Sequence, residues 1–190
     1  MEKSLTENSD SFDYILKTRT TVHNFNPEPV PKNVIDAALE AFVTAPNHFL
    51  TKPWRIYVLG ERIIEKIVDL NTDQIRSEKG EKLAMLKKER WSSVPCWILI
   101  NCVYSDDQFR FQEDYASCAC GIQNMMLSLW AKGYGSKWTT GPITRHPKFS
   151  EIVDFDPKSE VVVGLLWSGL PKDLPKGKKR DVQTNVNWLL

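Results

Sequence analysis

The chain alternates amphipathic segments with short unbroken apolar runs. Across residues 113–132, Ala116, Ser117, Ala119 and Gly121 sit among Ile122, Met125, Met126, Leu129 and Trp130. Several faces of a helix here are apolar or nearly featureless, which is the pattern of a buried helix. Lys132 falls in its last turn, and Gly133 suits the left-handed residue that ends many helices. Residues 136–140 then read as a short strand that Gly141-Pro142 breaks. A buried helix feeding a strand that stops at a glycine delivers backbone N–H groups to one point, which suits the holding of a flat polar ligand.

The other elements follow the same logic. Phe12, Ile15 and Leu16 recur at helical spacing and predict a short helix ending near Lys17. Pro31 fits a first helical turn, and Val34, Ile35, Ala38, Leu39, Ala41 and Phe42 make one face as far as Thr44. Residues 45–54 form a loop with prolines near both ends, and 55–59 read as a strand. Ile63, Ile64, Ile67 and Val68 mark a second amphipathic helix over 61–70. Residues 71–90 carry many charges with sparse apolar positions, the pattern of a mobile helical cover. The near-continuous apolar run 96–103 predicts a strand buried on both faces. A polar connection over 104–112 leads into the organising helix. Residues 143–155 hold a loop and a short helix, and 159–171 a buried strand. Helices and strands intermingle, which places the chain in the α+β or α/β class.

Composition narrows the function classes. The 190 residues have the length of one domain, with residues 1–11 polar and frayed at the start. A formal net charge of +1, from 25 basic and 24 acidic residues, gives no global reason to expect nucleic acid or a membrane as partner. The apolar runs are too short for a membrane helix, and the N-terminal stretch lacks the apolar core of a signal peptide, so the cytoplasm is the expected location. Cys96, Cys102, Cys118 and Cys120 show no metal-ligand spacing and are expected as reduced packing residues.

Three stretches carry candidate chemistry. Residues 19–27 are irregular and rich in donors, with the planar fork of Arg19, the hydroxyls of Thr20 and Thr21 and the ring of His23 suited to a phosphate and a polar ring edge. The loop 45–54 holds His48 and Lys52. Residues 172–180 contain five basic side chains in nine, Lys178 and Arg180 among them.

Taken in succession, these stretches resemble the FMN-dependent nitroreductase family. Arg19-Thr-Thr-Val-His-Asn-Phe25 is similar to its RRSxRxF opening. Ala45-Pro-Asn-His48 with Pro53-Trp54-Arg55 is similar to its proline-tryptophan loop. Gln123-Asn124 through Gly133-Tyr-Gly-Ser-Lys-Trp-Thr-Thr-Gly-Pro142 is similar to its QNLLLAA…GLGSxWxTG segment. The resemblance implies an α+β fold with a mixed, mainly antiparallel sheet flanked by helices. It divides the chain into a flexible N-terminus over 1–12, an FMN-binding domain over 13–182 and a tail over 183–190. It implies a homodimer with each flavin between subunits; the hydrophobic Trp188, Leu189 and Leu190 are compatible with a tail that wraps a partner and equally with a short unstructured end. It places Arg19, Thr20, Thr21 and His23, His48 and Lys52, Trp138, Thr139 and Thr140, and Lys178 and Arg180 around the cofactor, with no metal. Arg19, Lys178 and Arg180 would meet the phosphate, and a backbone N–H of Thr139 or Thr140 the ring.

The activity implied is reduction of nitroaromatics, quinones or related conjugated electrophiles by NAD(P)H through a ping-pong cycle. His23 stands where the family carries arginine or lysine, which removes a permanent positive charge near the flavin pyrimidine. Either flavin reduction is then less favoured or Lys52 supplies the charge. Asn47-His48-Phe49 replaces a common Ser-Ser pair. Three further readings stay open at this point: an FMN storage or redox-sensing protein, a specialised flavin enzyme such as a reductive dehalogenase or a flavin-fragmenting enzyme, and a structural protein without cofactor.

Overall fold

The computed structural model describes residues 12–174 and 186–189. Six α-helices surround four strands: α1 (Phe12–Thr18), α2 (Lys32–Val43), β1 (Trp54–Val58), α3 (Glu61–Lys79), α4 (Glu81–Ser92), β2 (Cys96–Val103), α5 (Gln108–Ala131), β3 (Gly135–Thr139), α6 (Pro147–Val153) and β4 (Glu160–Gly169). The strands pair antiparallel in the order β1-β2-β4-β3. A single parallel bridge, Thr21 to Ser136, adds the N-terminal segment along β3. The α+β architecture expected from the sequence is therefore the observed one.

Two cores lie against the sheet. Ile98, Ile100 and Cys102 of β2 pack with Phe42 of α2 and with Ile122, Met125 and Leu129 of α5. Trp97 and Leu99, alternating with them along β2, pack with Ile67 of α3, Phe149 of α6 and Trp167 of β4. This alternation is the two-residue period of a strand buried on both faces. In the second core Trp91, Trp97 and Trp167 meet with ring centroids 5.0 to 5.7 Å apart, edge to face or tilted, which is the favoured geometry for aromatic pairs.

The organising helix starts five residues earlier than the polar pattern suggested. Asp107 caps it: its side chain accepts from the N–H groups of Phe109 at 3.0 Å and Arg110 at 3.2 Å. At the other end Gly133 has φ +81°, as its position after Lys132 predicted. The second amphipathic helix runs nine residues past its expected end, to Lys79, because its inner face continues with buried polar groups. Thr72, for one, donates its hydroxyl to the Val68 carbonyl at 2.7 Å. The expected cover over 71–90 is thus the end of α3 and all but the last turn of α4, divided at Gly80 and packed together. Lys88 ties α4 back to Asp69 of α3 at 2.9 Å. Three cysteines are buried as expected, whereas Cys120 is exposed, since two residues along a helix from Cys118 is the opposite side.

The N-terminal segment is seated on β3 by a close approach. Val22 donates its N–H to the Ser136 carbonyl at 3.0 Å. A Cβ on Gly135 would meet Val22 Cγ2 at 2.4 Å and Val22 Cβ at 2.7 Å. Gly135→Ala is expected to lower stability by about 1–3 kcal/mol, the range for overpacking a tight site. A urea melt checks this: the midpoint should fall with little change in slope, and an unchanged midpoint would show that the segment yields freely.

Candidate functional site

The site is assembled where the N-terminal segment, β3 and α5 meet. α1 brings Thr18 to the indole of Trp130, whose Nε1 donates to the Thr18 hydroxyl at 2.9 Å, so the turn leading to Arg19 is pinned to the long helix. The Arg19 N–H closes α1 on the Ile15 carbonyl at 2.9 Å, and the chain then runs along β3. At the far end of the segment the N–H of Asn26 donates to the Leu170 carbonyl at 2.8 Å, which keeps the strip against the end of β4.

A cavity of about 440 Å³ opens there, lined by Arg19, Thr21, Gln123, Met126, Trp138 and Thr140. Four of these six were expected from the sequence. Gln123 and Met126, three apart on α5, form the helix wall. Trp138 is held by two constraints. Its Nε1 donates to the Val163 carbonyl at 3.1 Å. Its ring lies so close to β4 that a Cβ on Gly164 would meet Nε1 at 1.8 Å. The cavity therefore combines a partly buried guanidinium, hydroxyls, an amide and apolar walls, a donor set that matches a ligand with a phosphate and a flat polar ring.

A second, larger cavity of about 730 Å³ shares Thr140 with the first. Arg145 and His146 line one part of it and Glu160 another. The Glu160 carboxylate accepts from the Tyr57 hydroxyl at 2.9 Å and from the Asn101 amide at 3.0 Å. Burial, followed by the neighbouring carboxylate, pushes the Tyr57 phenol up to about 12. Tyr57 is thus a hydrogen-bond donor at neutral pH and fixes where Glu160 points.

The remaining expected residues lie elsewhere. Thr20 is half-buried between Arg19 and Thr21 but lines neither cavity, and Thr139 ends β3 beside Thr140. His48 faces the Glu113 carboxylate at 2.8 Å at the N-terminal end of α5. Lys52 lines a third cavity with Arg55 and Arg110. Within one chain, then, the loop residues do not join Arg19. Phe49, Leu50 and Lys52 of this loop all adopt the left-handed region, with φ of +60°, +52° and +48°. That conformation is costly for side chains larger than glycine. The Asn47 side chain holds it, accepting from the Lys52 N–H at 2.8 Å and donating to the Thr51 hydroxyl at 3.0 Å. Lys178 and Arg180 lie outside the described residues.

His23 is exposed and does not line the cavity of Arg19. Its backbone carbonyl instead accepts from Nε and Nη2 of Arg90 at 3.3 and 3.2 Å. Lys137 lies close by, with Nζ 4.8 Å from the centroid of the Trp167 ring. The sequence reading missed Arg90 and Lys137. Arg90 sits in a run of charges that reads as a solvated face, and only the segment's placement on β3 brings it to His23. Partial burial, then the charges of Lys137 and Arg90, holds the His23 imidazole below its ordinary value of 6.5. Burial, then Arg90 and Lys87, likewise lowers Lys137. Among the described residues no group of three or more histidine, cysteine, aspartate or glutamate side chains could hold a metal ion, and no helix is long and apolar enough to cross a membrane.

The depressed His23 value has a sign that can be measured. The folded state binds fewer protons than the unfolded chain below the unfolded value of 6.5. The group's contribution is therefore destabilising as pH falls from there through the folded value, and constant below it. A ring-proton NMR titration is expected to give a midpoint below 6.5, and Arg90→Gln should move it upward by removing one of the two charges. A midpoint above 6.5 in the parent protein would contradict the assigned surroundings.

Comparison with known proteins agrees with this architecture. The family model "Nitroreductase family" matches residues 16–169. A Bacillus subtilis protein named as an NAD(P)H nitroreductase, YfhC, is 31% identical over 173 residues, covering 87% of each chain. The iodotyrosine deiodinase of Danio rerio is 27% identical over 199 residues, covering 93% of this chain and 66% of the deiodinase. Among solved structures, a nitroreductase-like family protein from Bacillus cereus superposes with a TM-score of 0.81 at 26% identity, covering 100% of this chain and 97% of that one. The matched span takes in the N-terminal strip, the long helix and all four strands, and so every residue that lines the Arg19 cavity: the chain belongs to the nitroreductase family.

Proposed function

We propose that this chain is an FMN-dependent oxidoreductase that uses NAD(P)H to reduce nitroaromatics, quinones or related conjugated electrophiles by a ping-pong cycle. The observation that carries the reading is the convergence of Arg19, Thr21, Trp138 and Thr140 on one cavity with Gln123 and Met126. Relatives support it by name: YfhC is named for NAD(P)H, and a nitroreductase fold from Desulfovibrio desulfuricans is described in complex with FMN.

The donor set fits the cofactor. Arg19 would hold the phosphate through its planar fork, a charge-assisted contact, and Thr21 and Gln123 would hydrogen-bond the polar chain. Trp138 and Met126 would exclude water from the ring. Bound FMN would supply the redox chemistry, accepting hydride from NAD(P)H and passing reducing equivalents to the acceptor. The protein's own task is electrostatic. With His23 neutral, Arg90 and Lys137 are the fixed cations beside the opening motif, and they would provide the positive potential that the family's arginine or lysine provides. Lys52 would reach a flavin only from a second copy. We therefore read the functional unit as a homodimer, a reading supported by the exposure of Phe49, Leu50 and Phe109 at the loop and the start of α5.

A second reading, reductive dehalogenation of an aromatic substrate, is favoured by the deiodinase likeness over 93% of the chain. A substrate screen with nitroaromatics, quinones and halophenols separates the two.

Absorbance of the purified protein tests the core of the proposal. Flavin bands that bleach on anaerobic addition of NAD(P)H and return with an acceptor are the expected result. Bands that persist would favour storage or sensing, and a protein that stays colourless with added FMN would end the flavin reading. Arg19→Ala should weaken FMN binding by about 10- to 100-fold, the range for losing a charge-assisted contact. Fluorescence quenching of free FMN would measure it, and unchanged affinity would place the phosphate elsewhere.

A further inference from the structure

The third cavity, of about 250 Å³, lies between the strained loop, the end of β2 and the first turns of α5. Lys52, Arg55 and Arg110 line it, with Asp114 as its only acid. That acid is already engaged. Asp114 is 6% exposed. Its Oδ1 accepts from the Thr51 hydroxyl at 2.5 Å, and its Oδ2 lies 3.9 Å from Arg110 Nε. Among the described residues neither Lys52 nor Arg55 has an acidic partner; Arg55 donates Nη1 only to the Trp54 carbonyl, at 3.0 Å. Of the acids at this end of α5, Asp107 caps the helix and Glu113 faces His48. The 24-residue α5 adds the partial positive charge of its N-terminus to the same end.

Gathering three cations around one satisfied carboxylate is unfavourable unless an anion joins them. Asn47 fixes the backbone of Lys52 at the mouth of this pocket by accepting its N–H at 2.8 Å, and the side chain is exposed there, open to an incoming anion. The volume is below the roughly 300–1,000 Å³ of sites that enclose a whole small molecule, so the pocket suits one group of a ligand. A compact dianion with several acceptor oxygens answers two guanidinium forks and an ammonium better than a planar monoanion does.

We propose that the Lys52–Arg55–Arg110 pocket binds a phosphate group, either the 2′-phosphate of NADPH or free inorganic phosphate. The nucleotide source rests on the proposed function; phosphate binding itself does not.

The test titrates the purified full chain with inorganic phosphate, holding ionic strength constant with sodium chloride, and follows the melting temperature. The parent protein is expected to show a saturable rise with phosphate that chloride does not reproduce. Arg55→Gln should shift the half-saturating concentration about tenfold upward, as expected for one lost charge-assisted contact. Arg55 lies on an edge strand and is exposed, so this variant should fold; Arg110→Gln is the second variant, expected to act in the same direction. No phosphate response in the parent, or an unchanged response in both variants, overturns the proposal. The ratio of kcat/KM for NADPH over NADH then identifies the source. A tenfold fall in Arg55→Gln assigns the pocket to the 2′-phosphate, and an unchanged ratio alongside weakened phosphate binding assigns it to the free ion. A protein that takes up no flavin yet responds to phosphate would end the flavin reading and leave this one standing.

Discussion

The seating of the N-terminal strip on β3 is the constraint on which the candidate site depends. Val22 fills the space that a side chain at residue 135 would occupy, and its N–H closes on Ser136. Once that contact forms, the period of an extended chain decides the rest. Val22 turns into the core, while Arg19 and Thr21 are left on the rim beside Trp138 and Thr140. β3 would be an exposed edge if a Cβ at residue 135 kept the strip away. Instead the strip caps the sheet edge, which also protects β3 from pairing with another chain.

Much of this was legible in the sequence, and the parts that were not share a cause. The buried strand over 96–103 and the Gly133 stop were read within a residue, because both depend on local rules: unbroken apolar character and a left-handed C-terminus. The start of α5 was missed because Asp107 acts through its backbone partners, and a polar stretch hides a cap as easily as a loop. The length of α3 was missed because its inner face continues with Asn71 and Thr72, whose burial depends on packing rather than on hydropathy. In the site, Arg19, Thr21, Trp138 and Thr140 were found by motif. Arg90 could not be, since its relation to His23 exists only across 67 residues of folded chain.

The charges explain why a histidine is tolerated at residue 23. A lysine or arginine there would add a third permanent cation to Arg90 and Lys137, and burial, followed by the charges of Arg90 and Lys87, already lowers Lys137. Histidine avoids that cost by shedding its proton. In the proposed function the positive potential would come from α4 and β3 instead of the opening motif; there Trp167 offers the Lys137 ammonium a ring face. A carboxylate at that position would pair with Lys137 and cancel the potential. An aromatic face holds the ammonium without cancelling its charge.

The division of basic residues between two regions of the chain bears on the proposed dimer. Arg19 lies in one cavity, whereas Lys52, Arg55 and Arg110 lie in another that shares no lining residue with it. The loop holds three residues in the left-handed region and leaves Phe49 70% exposed and Leu50 78% exposed, so its apolar tip is directed outward. Its side-chain latches run to α5, through Thr51 to Asp114 and His48 to Glu113, so the loop is rigidly presented. Rigid presentation of apolar side chains lowers the entropy lost when another surface covers them. In the proposed dimer that surface is the second copy, and the loop brings its apolar tip and its basic pocket to the interface together.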